Sequence, residues 1–129
     1  MSLSPRLLGA YWRTVYSVDG VELRIGQRSP AMDALLRRYG VREAVLITAW
    51  NPMSRRLPMG WNRRAQRRLR ERLRRFVTLE ADGGWRRWRE DHVLVFAPTR
   101  RVVRLAWMFR QAAIVTVGRD RTPGLLVLS

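Results

Sequence analysis

A chain of 129 residues suits one domain with one core, and a hydrophobic content of 47% excludes a disordered polyelectrolyte. It has no cysteine, which excludes a disulfide framework and a thiolate zinc site, and no apolar run reaches the ~18 residues that span a bilayer. The charge is far from balanced: 26 basic residues against 10 acidic ones give a net +16, and every basic residue is arginine.

The first helix signal is SPRLLGAYWRTVY, with Ser4 as N-cap, Pro5 in the first turn and an apolar stripe of Leu7, Leu8, Tyr11, Trp12 and Val15. GVELRIG then alternates, Val21, Leu23 and Ile25 opposite Glu22 and Arg24, as a half-buried strand does. SPAMDALLRRYG is the clearest helix: Ser29 caps it, Pro30 opens it, Met32, Leu35, Leu36 and Tyr39 form its face, and Gly40 ends it. EAVLITAW, residues 43–50, reads as a central strand. NPMSRRLPMG, with two prolines and a glycine, reads as a loop.

WNRRAQRRLRERLRRF, residues 61–76, repeats Trp61, Ala65, Leu69, Leu73 and Phe76 along one helical stripe and clothes the rest in arginine. FVTLEA predicts a strand, DGGWRRWRED a turn-rich loop with a tight turn at 81–85, and HVLVFA (92–97) a buried strand. Thr99 is placed to cap a helix over RRVVRLAWMFR, with Val102, Val103, Ala106 and Phe109 inward. AAIVTV and GLLVL are the last strands. Together these predict a single α+β domain over 1–129, a sandwich of a mixed β-sheet with helices packed on it. It could be ferredoxin-like with an added basic helix, built from βαβ units at 21–50 and 92–117 joined by a basic-helix connection at 51–91.

Catalytic constellations are missing from the sequence. His92 is the sole histidine and reads as a strand-edge residue rather than a general base; the acids around it are scattered, so no metal and no cofactor is expected. No glycine-rich phosphate loop is present. TAWNP sets Trp50, Asn51 and Pro52 at the carboxyl end of a buried strand, where ligands often sit in layered proteins, although Asn51 could equally cap the next turn and Pro52 stiffen it. Asp82 reads as a turn-former rather than an acid catalyst.

ITAWNPMSR (47–55), LPMGWNRRAQRRL (57–69), DGGW (82–85) and FRQAAIV (109–115) resemble a bacterial family, the domain of unknown function numbered 3293. That resemblance implies a single-domain protein of about this length. It points to Thr48, Trp50, Asn51, Pro52, Asn62, Gln66, Asp82, Gly84, Trp85 and Gln111. Arg110 and Ala112 depart from it, standing where the family's late motif has Gly and Asn. It implies no activity. A possible pocket is therefore assigned to Trp50, Asn51, Asn62, Gln66, Asp82, Trp85 and Gln111.

The arginine helix gives the functional expectation. Residues 54–75 hold ten arginines and one acid, Glu71. Like charges at i,i+4 cost a few tenths of a kcal/mol each, which an anion would relieve. Nucleic acid is the commonest polyanion, and arginine both forks onto phosphate and stacks on bases. The expected protein is non-catalytic and binds RNA or DNA backbone without sequence readout, in a salt-sensitive way, through Arg63, Arg64, Arg67, Arg68, Arg70, Arg74, Arg75, Arg86, Arg87 and Trp88. Two alternatives stand beside it: docking onto an acidic protein, and a small enzyme or ligand-binding protein that uses the Thr48–Pro52 loop. The absence of a signal-peptide pattern and of an apolar span makes the bacterial cytoplasm the expected location.

Overall fold

The structure, a computed structural model, describes residues 3–128. Ser4 caps α1 (Pro5–Arg13) by accepting a hydrogen bond from the Leu7 N–H at 3.2 Å. The helix stops at Thr14, whose hydroxyl donates to the Ala10 carbonyl at 2.7 Å. Val15 was expected on the helix stripe; instead it opens β1 (Val15–Val18), which buries Tyr16 and Val18 at the strand period of two. Asp19 and Gly20, both at positive φ (48° and 77°), turn β1 into β2 (Val21–Leu23), as a two-residue hairpin with right-handed twist requires. Ser29 caps α2 (Pro30–Arg38) and Gly40 leaves it at φ 69°, as expected.

β3 (Glu43–Ile47) is the buried central strand. After the 48–58 loop and α3 (Met59–Arg72), the largest correction appears. DGGWRRWRED is not a loop, and 81–85 is not a turn. β4 (Thr78–Trp85) and β5 (Trp88–Val95) pair from Thr78↔Val95 to Trp85↔Trp88, and only Arg86 and Arg87 turn between them. The glycines that suggested a turn are there for space. A Cβ at Gly84 would lie 2.5 Å from the Trp88 carbonyl oxygen, and one at Gly83 would lie 3.0 Å from the rings of Tyr16 and His92. α4 (Thr99–Met108) follows, with Thr99 inside the helix rather than capping it. The carboxylate of Glu43 accepts the Thr99 N–H at 3.3 Å instead. β6 (Ala113–Gly118) and β7 (Gly124–Val127) complete the chain.

The seven strands form one sheet in the order β2-β1-β4-β5-β3-β6-β7. Every pairing is antiparallel, so the sheet is not mixed. The reason lies in the crossovers. α3 connects β3 to β4 across β5, and α4 connects β5 to β6 across β3, so each pair of parallel strands has an antiparallel strand between its members. The β3-α3-β4-β5-α4-β6 segment, with strand order β4-β5-β3-β6, is the ferredoxin-like split βαβ arrangement. The basic helix is one of its two crossovers rather than an addition. The additions are α1, the β1–β2 hairpin, α2 and β7. The segment 21–50 does not pair its own strands: β2 lies at one edge and β3 near the centre.

Two cores result, one on each face. Val45, Ile47, Val93, Val95 and Ile114 of the sheet meet Ala65, Leu69 and Leu73 after and along α3, and Val102 and Ala106 of α4. On the other face Tyr16, Val18, Leu46, Leu94 and Val115 meet Met32, Leu35 and Leu36 of α2. α2 touches both β2 and β6, so the sheet curls around it into a half-barrel. The Gly26 N–H donates to the Pro123 carbonyl at 2.9 Å and ties the two ends of the curl. Burial of this kind supplies ~25 cal/mol for each Å² of apolar surface and holds the layers together.

Candidate functional site

Beyond Ile47 the chain leaves the sheet, and a set of buried polar side chains fixes its path. The Thr48 hydroxyl donates to the Asp91 carbonyl at 2.6 Å and accepts from the Trp50 N–H at 3.0 Å. Gln66 accepts from the Ala49 N–H at 2.8 Å. Asn51, at φ 47°, exchanges two 2.9 Å bonds with Asn62: its N–H donates to Asn62 Oδ1, and Asn62 Nδ2 donates back to its Oδ1. Asn51 also accepts from the Leu57 N–H and donates to Glu90 Oε1. Gln111 donates to the Trp50 carbonyl at 3.2 Å, and the Met53 N–H donates to the Arg110 carbonyl at 2.6 Å. The Thr48–Leu57 loop is thus clasped by α3, β5 and the α4–β6 turn. This explains why Asn62 and Gln66 are buried and Trp61 is exposed. The expected stripe holds at Ala65, Leu69 and Leu73, which are buried, but at its start the amides of Asn62 and Gln66 turn inward and Trp61 faces outward.

The loop closes one end of a cavity of about 630 Å³ on the concave face of the sheet. α1 covers it with Leu7, Ala10 and Tyr11; the floor is Tyr16, Leu46, Gly83, His92 and Val115; Trp50, Asn51 and Gln111 stand at the loop side. Trp85 and Trp88, from the two arms of the hairpin, complete the wall with Glu90. His92 meets Tyr16 edge to face, with ring centroids 5.4 Å apart. Its Nδ1 donates to the Glu90 carbonyl at 3.1 Å, so in the neutral ring Nε2 is an acceptor. Burial pushes the His92 pKa below its ordinary value, although the carboxylates of Glu90, Asp82 and Asp91 oppose the shift. Burial also raises the Tyr11 and Tyr16 hydroxyls. Two buried donors, Trp50 Nε1 and Gln66 Nε2, lack a hydrogen-bond partner among the described residues.

The cavity gathers opposite charges without joining them. Glu90 accepts from Asn51 and from Trp88 Nε1 at 3.2 Å and forms no ion pair among the described residues, although Arg6, Arg13 and Arg56 share the cavity wall with it. The arginines lie on tryptophan faces instead: Arg13 and Arg86 over Trp85 at 4.7 and 4.4 Å, Arg56 over Trp88 at 4.5 Å.

On the opposite face of the sheet, α3 shows its arginines. Arg70 pairs with Glu80 at 2.7 Å and Arg74 pairs with Glu71. Arg63, Arg64, Arg67, Arg68, Arg72 and Arg75 are exposed and reach no carboxylate among the described residues. α4, in the same helical layer, adds exposed Arg100, Arg101 and Arg104 beside Trp107 and Met108.

The residues expected from the sequence therefore separate. Trp50, Asn51, Trp85 and Gln111 line the cavity; Asn62 and Gln66 lie behind it, in the clasp; Asp82 points to the other side of β4 and pairs with Arg89 at 3.2 Å. Arg86 and Arg87 form the hairpin turn, and Trp88 stands in the cavity wall under Arg56. His92 is not at a strand edge but in the middle of a central strand. Glu90, Tyr11 and Tyr16 join the site without a sequence motif that marks them, Tyr11 from the apolar stripe of α1. The signal was present in WREDHVLVF: Trp88, Glu90, His92, Leu94 and Phe96 alternate to one face once the segment is taken as a strand.

A ferredoxin-like sheet extended at both edges, with a polar loop clasp and an aromatic cavity, defines an α+β domain with two distinct candidate surfaces. The chain belongs to a family of unknown function: the model described as "Protein of unknown function (DUF3293)" matches residues 47–114. That span runs from the end of β3 to the second residue of β6 and contains the whole clasp. No curated protein and no solved structure matches the chain.

Proposed function

We propose that the protein binds a polyanion, most simply the phosphate backbone of RNA or DNA, through the outer face of the α3–α4 layer. One observation supports this above others: Arg63, Arg64, Arg67, Arg68 and Arg72 of α3, with Arg75 just beyond its end, are exposed and have no carboxylate within ion-pair distance among the described residues. Arg64, Arg68 and Arg72 follow one another at i,i+4, where like charges repel by ~0.2–0.5 kcal/mol per pair. A helix kept in that state stores a charge density that phosphates neutralise, with release of counterions. α4 widens the patch with Arg100, Arg101 and Arg104, and Trp107, 56% exposed, offers a ring for stacking within it. Asn62 and Gln66, the amides of α3, are buried in the clasp and so are not offered to base edges.

The test is fluorescence anisotropy with labelled single- and double-stranded RNA and DNA. The wild-type chain is expected to bind with an affinity that falls steeply with salt, and Arg64→Glu with Arg67→Glu to abolish binding. No binding to any of these probes at low salt would reject the reading. A partner that co-purifies at low salt and survives nuclease would assign the patch to an acidic protein instead.

A further inference from the structure

The cavity beneath α1 supports a second inference, independent of the arginine helix because it opens on the other face of the sheet. The geometry points to a binding site there for one small anionic heteroaromatic molecule of the nucleoside-monophosphate class. A volume of about 630 Å³ is that of a site for a molecule of this size. Tyr11, Tyr16 and Trp50 present aromatic surface to whatever enters, and planar rings are the ligands that such surface holds best.

The polar groups narrow the chemistry further. Glu90 is a carboxylate in a chain of net charge +16, yet among the described residues its oxygens bond only to the Asn51 amide and the Trp88 indole, so lone pairs remain for a donor such as an amino or ring N–H group. His92 Nε2 is a second acceptor in the floor. Arg13 and Arg56 lie over the rings of Trp85 and Trp88 and form no ion pair among the described residues. A guanidinium has five N–H donors, so a contact with a ring leaves N–H groups for an anion. A nucleobase supplies in-plane donors and acceptors, and its phosphate supplies the anion. An aliphatic carboxylate would leave the aromatic walls unused, and a neutral base would leave the arginines unmet.

The experiment titrates AMP, GMP, CMP and UMP into the full chain at about 150 mM salt, where surface attraction is screened. Tryptophan fluorescence and calorimetry are read together. At least one nucleotide is expected to bind one-to-one. Ala10→Phe, which fills the cavity from α1 without removing a hydrogen bond, should weaken that binding at least about tenfold. Glu90→Gln, which still offers an acceptor to Asn51, should do the same. Arg64→Glu with Arg67→Glu should leave it unchanged, so failure here and failure of the polyanion reading are separate results. Three results would each overturn the assignment: no saturable binding by any of the nucleotides, binding that survives Ala10→Phe in a folded protein, and inorganic phosphate competing as well as the nucleotide does.

Discussion

Asn51 and Asn62 hold one another by two hydrogen bonds of 2.9 Å, backbone to amide in one direction and amide to amide in the other. Both residues are buried, and eleven positions separate them in the chain. The pair fixes the loop that leaves β3 to the first turn of α3, so the cavity wall and the arginine helix share one anchor. Asn62→Leu keeps the branching and the number of side-chain heavy atoms but strands the Asn51 N–H and takes one of the two donors from the Asn51 side-chain oxygen. Leaving a buried polar group unpaired costs ~1–3 kcal/mol, so the variant should lose ~2–4 kcal/mol, read as a lower urea midpoint with an unchanged slope.

Arg110 sits at φ 54°, in the left-handed region that side-chain-bearing residues avoid, while its carbonyl accepts from the Met53 N–H. The family resemblance places Gly at this position. Arg110→Gly should therefore stabilise the fold by ~0.5–1 kcal/mol, since the strain of an L-residue there, ~1–2 kcal/mol, outweighs the entropy that glycine adds to the unfolded chain. A thermal midpoint that falls would show that the arginine side chain makes a contribution of its own.

His92 is buried as a neutral ring and its pKa lies below the ordinary 6.5. For a group whose folded pKa is depressed, the unfolded chain takes up the proton first. The stability it contributes is thus complete above pH 6.5 and is lost as pH falls towards the folded value. Denaturation midpoints at about pH 7.5 and 5.5, a window chosen to lie above most carboxylate titrations, should show a drop that His92→Asn removes. A wild-type chain equally stable at both values would contradict the sign.

Arg68 has Arg64 and Arg72 at i−4 and i+4, and no carboxylate partner among the described residues. Arg68→Glu turns two repulsions into two attractions and sets one new repulsion against Glu71 at i+3. It should stabilise the fold by ~0.2–0.5 kcal/mol while weakening nucleic-acid binding, because each such pair changes by a few tenths of a kcal/mol in each direction. Opposite effects on stability and affinity, measured on one variant, mark a residue kept for its partner rather than for the fold.

Replacing a single exposed arginine of α3, such as Arg67→Ala, should lower the slope of log affinity against log salt by about one, uniformly across probe sequences. An unchanged slope would remove that residue from the interface.

Much of the fold was legible before any coordinates. Ser4 and Ser29 cap their helices, Gly40 ends one, and EAVLI is the buried strand that its β-branched run implied. Local rules suffice there, because a hydroxyl three residues before an N–H, or an apolar run, acts within its own segment. They misled at Gly83 and Gly84, where the composition of a turn conceals a strand, and at Trp61, where the most apolar candidate faces solvent.

By itself the sequence determined the α+β class, the starts of α1 and α2, the central strand β3 and the excess of positive charge on one helix, since each follows from neighbours along the chain. Only the tertiary structure decided that the sheet is antiparallel throughout, that Asn62 and Gln66 turn inward to hold a loop, and that Tyr16, Glu90 and His92 meet around one cavity. Those outcomes depend on which strand a crossover passes over and on which backbone groups need a partner. Both are settled by packing between segments far apart in the chain.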